Sequence, residues 1–195
     1  MTTGSFAMTL PLWVGAFLGE EQRICRSREE RMRIAVSLSR LNVAHGTGGP
    51  FGAAVFEAES GRLITPGVNL VVSGRCSILH AEIVAIILAQ RVFGTFDLGA
   101  TGIPACELVT SVEPCAMCLG AVPWSGVRRL VCGARGEDAE AIGFDEGAKP
   151  YGWVGELERR GIEVVRDCCR DEADAVLREY AGTGGPIYNA RGGSG

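Results

Sequence analysis

The chain has 195 residues, of which 47% are apolar and 22% charged, and its formal net charge is -4. That length fits one domain with short arms, and the apolar share is ample for a packed core, which excludes a disordered chain. The acidic balance disfavours nucleic-acid partners, whose phosphates are held by clustered Lys and Arg, and the low charge content points to apolar surface shared between subunits.

In chain order, residues 6–18 form an apolar stretch interrupted by Pro11 and Gly15. The stretch lacks the basic flank and small-residue cleavage site of a secretory signal and is too short to cross a bilayer. Residues 1–26 are therefore expected to be an arm, packed on the body or on a second subunit. Ser27-Arg28-Glu29-Glu30 is a capping box, and the helix after it carries Met32, Ile34, Ala35, Leu38 and Leu41 and ends near Gly46. Residues 51–56 and 63–72 read as two strands of a hairpin about the Ser60-Gly61 turn. Residues 80–93 are helical, Cys106–Val112 is a short buried strand, and Pro114 opens a helix reaching about Trp124. Residues 127–132 are a strand, 153–160 a helix, 162–165 a strand and 171–180 a final helix. Strands alternating with helices after the hairpin predict an α/β fold, with a mixed sheet covered on both faces. The domain so defined spans 27–182, and 183–195 form a Gly-rich tail, frayed or draped on a neighbour. Eight cysteines, several inside apolar runs, behave as small hydrophobes and predict a reducing, cytoplasmic compartment.

Two motifs carry chemistry: His80-Ala81-Glu82 and Pro114-Cys115-Ala116-Met117-Cys118. Each opens a helix. Cys115 and Cys118, three apart, share one face of a first turn, so both sulfurs reach one metal, and the helix N-terminus favours their thiolates. Pro114 is expected within that first turn, where its missing N–H is no loss. His80 adds a third ligand, and three protein ligands leave a fourth tetrahedral position of Zn²⁺ open to water or hydroxide. Glu82, two residues past His80, is expected beside that water as its proton shuttle. His-x-Glu followed by Pro-Cys-x-x-Cys is the signature of zinc base deaminases.

The likeness extends along the chain. The stretches 48–56, 74–77 running into His80, 106–111 before Glu113-Pro114-Cys115, 124–128, 140–147 and 187–190 resemble the cytidine-deaminase-like superfamily. Within it they are similar to bacterial guanine deaminases, including those that also accept ammeline. The resemblance covers nearly everything after about Ser27. It implies a three-layer α/β/α sandwich on a central five-stranded mixed sheet, with one zinc per subunit on His80, Cys115 and Cys118. It further implies Glu82 as proton shuttle and Glu146 as a second acid that bonds the base and helps the leaving amine. Asn69, on the second strand, would bond the carbonyl edge of the base. Phe51, Ala81, Trp124, Phe144 and Tyr188 would complete the binding surface. The reaction implied is hydrolysis of guanine to xanthine and ammonia.

Alternatives share the zinc motif: a cytosine, cytidine or guanosine deaminase, or a tRNA adenosine deaminase, which should carry a basic surface. A zinc-stabilised binding module is the non-enzymatic alternative, and Glu82 argues against it. The partners expected are a small-molecule base and a second copy of the chain, with neither nucleic acid nor membrane. Gly182, Gly184 and Gly185 form a hinge before the apolar Pro186-Ile187-Tyr188, so the tail is expected over a substrate site, in its own subunit or the partner's.

Overall fold

A computed structural model of the chain describes residues 7–19 and 23–189. The arm contains a short helix, α1 (Leu12–Leu18), seated on the body. Val14 is buried, Trp13 Nε1 donates to Thr47 Oγ1 at 3.0 Å, and the Trp13 ring stacks on His45 with centroids 5.2 Å apart.

Helix α2 (Arg28–Ala44) starts at the capping box. The Ser27 hydroxyl accepts the Glu30 N–H at 3.1 Å, and the Glu30 carboxylate accepts the Ser27 N–H at 3.2 Å, so the helix start is closed reciprocally. The hairpin follows as β1 (Gly52–Glu57) and β2 (Leu63–Val68), then α3 (Ala81–Phe93), β3 (Cys106–Val112), α4 (Ala116–Ser125) and β4 (Arg129–Ala134). The chain continues through α5 (Gly136–Ala141), α6 (Trp153–Glu158), β5 (Glu163–Val165) and α7 (Arg170–Gly182). The five strands form one sheet in the order β2-β1-β3-β4-β5. β1 pairs antiparallel with both β2 and β3, whereas β3, β4 and β5 run parallel.

Strand alternation divides the core into two layers. Ala54 and Phe56 of β1 join Val109 and Val131 under α2 and α7, while Ala53 and Val55 join Leu108 and Leu130 under α3 and α4. A sheet covered on both faces needs apolar side chains at every position, and β3 is accordingly buried throughout. Its one charge, Glu107, is fully buried and takes Arg31 Nη1 at 2.5 Å on one oxygen and Arg129 Nη1 at 3.0 Å on the other. Removing one partner of a buried pair costs about 3–5 kcal/mol, so this triad fastens α2 to β3 and β4.

The structure corrects several expectations. β2 stops at Val68 rather than Val72. The chain turns there because the Leu70 N–H bonds Leu79 O at 2.9 Å and the Gly74 N–H bonds Leu70 O at 2.8 Å, leaving no register for β1 to extend. Asn69 therefore lies just past the strand. β1 begins at Gly52, one residue after Phe51. Cys115 is the N-cap of α4, which places Pro114 outside the helix. α5 was not expected, because its six residues carry no apolar period and bury only Gly136 and Ala139. Among the described residues, no helix is long and apolar enough to cross a membrane.

Candidate active site

The site lies beyond the carboxyl end of β3, where parallel strands leave a crevice. Two helix starts converge on it. His80 is the N-cap of α3 and Cys115 the N-cap of α4, with Glu82 and Cys118 in the first turns. The His80 side chain makes no capping bond to α3, and the Cys115 side chain turns towards Cys118 and His80, so both N-cap side chains face a common point. Cys115 Sγ lies 3.5 Å from His80 Nδ1, and the donor atoms of His80, Cys115 and Cys118 all fall within 4.8 Å of one another. Tetrahedral zinc, with bonds of about 2.0–2.3 Å to nitrogen and sulfur, requires donors this close together. The donor set also suits zinc, two sulfurs and an imidazole, with no fourth protein ligand in the cluster among the described residues.

The electrostatics follow from burial at these helix starts. Hydrogen bonds that its sulfur accepts from Cys118 and from His80 hold the Cys115 thiol down to about 4, against the opposing effect of burial. The first of these bonds, together with burial, pushes Cys118 far up, so the pair retains a proton that a metal must displace. Burial lowers His80, but its bond to Cys115 and the charge of Glu82 outweigh that and raise it. Glu82 is buried, and this desolvation raises its carboxyl to about 7, with the Cys115 charge acting in the same direction and His80 opposing. Burial likewise raises Glu146 to about 7, opposed by Lys149 and reinforced by Cys115 and Glu82.

These groups line a cavity of about 380 Å³, within the range of small-molecule sites. Phe51 and Phe144 meet edge to face with centroids 4.9 Å apart, and Tyr188 stands 5.1 Å from Phe144, giving three apolar walls. The tail folds back to deliver Tyr188. Tyr180 Oη donates to Pro186 O at 2.7 Å, Asn189 Nδ2 donates to Gly143 O at 2.9 Å, and the Asp145 N–H bonds Asn189 Oδ1 at 2.9 Å. A Cβ on Gly49 would lie 2.1 Å from Tyr188 Oη, so only glycine leaves room for that ring. The Tyr188 hydroxyl is buried without a hydrogen-bond partner among the described residues.

Of the expected site residues, His80, Cys115, Glu82, Glu146, Phe51, Phe144 and Tyr188 line this cavity. Cys118 is fully buried behind them. Asn69 and Ala81 are buried alongside without lining it; the Asn69 N–H bonds the Phe51 carbonyl and its Oδ1 accepts from Val71. Trp124 is not brought here. It is 85% exposed on the outer face of α4, beside Pro123 and Trp153. The sequence reading missed Glu113, Asp145 and Asn189, which also line the cavity, and Lys149, which bonds Glu146. For Lys149 a signal existed: it is the one lysine among 19 lysines and arginines.

Residues 25–134 match the family described as the cytidine and deoxycytidylate deaminase zinc-binding region. A guanine deaminase of Bacillus subtilis (strain 168) is 38% identical over 120 residues, covering 62% of this chain and 72% of the relative. Among solved structures, guanine deaminase from Nitrosomonas europaea is 54% identical, with a TM-score of 0.87 over 91% of this chain and 97% of that one. NE0047 in complex with 2,6-diaminopurine is 56% identical, with a TM-score of 0.88 over 95% of this chain and 97% of that one.

Proposed function

The chain belongs to the cytidine and deoxycytidylate deaminase zinc-binding family, and from that premise we propose that it is a zinc-dependent guanine deaminase, which hydrolyses guanine to xanthine and ammonia. One observation carries the reading: an open His80, Cys115, Cys118 donor set with Glu82 beside it and Glu146 in the same aromatic-walled cavity. The substrate is a small-molecule base, the kind of ligand seen in the 2,6-diaminopurine complex of NE0047.

When bound, zinc supplies a Lewis acid that lowers the pKa of water towards about 7. His80, Cys115 and Cys118 hold it. Glu82 takes a proton from water, delivers it to a ring nitrogen and returns a proton to the departing amine; a carboxyl raised to about 7 can serve as both base and acid near neutrality. Phe51, Phe144 and Tyr188 sandwich the base and exclude water. Glu146 accepts ring N–H groups and assists ammonia release, and Ala81 packs behind the cavity wall between His80 and Glu82. The Asn69 Oδ1 is engaged by Val71, which leaves its amide nitrogen to donate to the carbonyl edge.

Incubation with guanine, ammeline, cytosine, adenine, cytidine and guanosine tests the assignment by ammonia release. Guanine should yield stoichiometric xanthine; ammonia from cytosine or adenine instead would replace this reading with one of its family alternatives. The carboxylates of Glu82, Glu113, Asp145 and Glu146 around the cavity suit a neutral purine rich in N–H donors and repel nucleic-acid phosphates. Glu146→Gln should lower guanine kcat/KM by about 10²-fold with zinc content unchanged, because an amide presents a donor where the base needs an acceptor. Unchanged guanine kinetics would make Glu146 an ordinary buried carboxylate.

We also retain the division into arm (1–26), deaminase domain (27–182) and tail (183–195), a homodimeric state, and a cytoplasmic location, which eight free thiols fit. Support for the dimer is the outward side of α4 at Gly120, Ala121 and Trp124, at helical spacing. Trp124 and Tyr151 expose large apolar surface beside it, which a second copy would cover. Light scattering should give twice the chain mass. Truncation after Gly182, which removes Tyr188 and its anchor Asn189, should cut guanine turnover at least tenfold by about the loss expected from a wet, unwalled site. A monomer, or a truncated enzyme with unchanged kinetics, would sink these two assignments respectively.

A further inference from the structure

We infer that Lys149 is a positioning residue for Glu146, its ammonium holding one carboxylate oxygen so that the other is presented to the N–H groups of the base. The inference rests on the reading of Glu146 as a base contact.

The chain uses arginine for every other permanent positive side chain and keeps one lysine, at this site. Lys149 Nζ stands 3.3 Å from Glu146 Oε2, with the two side chains only 16% and 6% exposed. Among the described residues, no other side chain hydrogen-bonds the Glu146 carboxylate, so Oε1 has no side-chain partner in a residue that lines the cavity. The backbone fixes the pair from both sides. The Ala116 N–H bonds Glu146 O at 2.9 Å, docking the loop on the start of α4 next to Cys115. The Gly147 N–H bonds Asp145 Oδ1 at 2.8 Å and the Lys149 N–H bonds Gly147 O at 3.0 Å, curling the loop so that residues 146 and 149 face each other.

The neighbouring acid is already satisfied. Glu113, which lines the same cavity, accepts Arg166 Nε at 2.5 Å on one oxygen and the Gly136 N–H at 3.2 Å on the other. Each of these two carboxylates thus has its own cation, Arg166 for Glu113 and Lys149 for Glu146. The slot explains the residue type. A Cβ on Gly136 would lie 2.2 Å from Lys149 Nζ and 3.5 Å from Glu146 Oε2. A compact ammonium fits over that glycine, where a planar guanidinium fork needs more room.

The test is steady-state kinetics with guanine on zinc-loaded wild type, Lys149→Met, Gly136→Ala, Glu146→Gln and the Lys149→Met/Glu146→Gln double variant. Lys149→Met should lower kcat about 30-fold with KM changed less than about threefold, since a displaced acceptor costs most where geometry is tightest, in the transition state. Gly136→Ala keeps the lysine but sets a methyl where its ammonium sits, and should lower kcat about tenfold. In the Glu146→Gln background, Lys149→Met should add less than about twofold, because the two act as one unit. Elemental analysis should find unchanged zinc in all variants. Should Lys149→Met fail to fold, Gly136→Ala alone and combined with Glu146→Gln carries the same comparison. Wild-type kcat in both Lys149→Met and Gly136→Ala alongside a slow Glu146→Gln would overturn this inference alone. So would a full loss from Lys149→Met in the Glu146→Gln background. No guanine turnover by the wild type would overturn the proposed function, and this inference with it.

Discussion

Glu82→Gln lowers guanine turnover by about 10³–10⁴-fold while zinc content and thermal midpoint stay at wild-type values. The expected size follows from position. Glu82 is in the first turn of α3, two residues past His80, and buried in the cavity wall. Its carboxyl, raised to about 7 chiefly by burial, holds or releases a proton with little cost near neutral pH. An amide of the same shape fills the same space and preserves packing but cannot carry that proton. The variant therefore separates chemistry from folding. Retention of more than about a tenth of the wild-type rate would remove Glu82 from the proton path.

Cys115→Ala and Cys118→Ala each leave less than about one tenth of the chains zinc-loaded after dialysis against a mild chelator, and turnover falls in proportion. Their sulfurs would supply two of the three ligands, and neither cluster neighbour could replace a lost one. The metal would tie the start of α3 to the start of α4, so part of its binding energy is folding energy, and both variants should also melt earlier than the wild type. The pH dependence has a definite sign. Both sulfurs and His80 must be deprotonated to ligate, and Cys118 is the group pushed far up. Protons therefore compete with zinc, and chelators should strip the wild type faster as pH falls. Full zinc in both cysteine variants would end the ligand assignment.

The dimer and tail assignments turn on residues whose meaning changed between sequence and fold. Trp124 belongs to a stretch that resembles guanine deaminases, yet its side chain stands 85% exposed on α4. Its place beside Gly120 on the outward side of α4 makes it the first residue to examine in a dimer interface. Tyr188 was expected over a substrate site in one subunit or the other. Within the chain it enters the cavity of its own subunit, held by Tyr180 and by the bonds of Asn189.

Read alone, the sequence determined the parts of this protein that depend on near neighbours along the chain. The Ser27–Glu30 box starts α2 because both bonds span three residues. The candidate zinc ligands were legible because Cys115 and Cys118 share one helical turn and His80 begins another. Tertiary structure decided the rest. Asn69 leaves the strand where Asn42, 27 residues earlier, takes its carbonyl at 2.9 Å. Lys149 reaches Glu146 over a glycine that opens α5, and α5 has no apolar period to announce it. Glu107 survives in a buried strand because Arg31, 76 residues away, neutralises it. Helix caps and strand faces repeat with a short period that sequence records directly. Which side chains share a cavity is set by contacts between segments brought together only when the two core layers close on the sheet, and no local period encodes those.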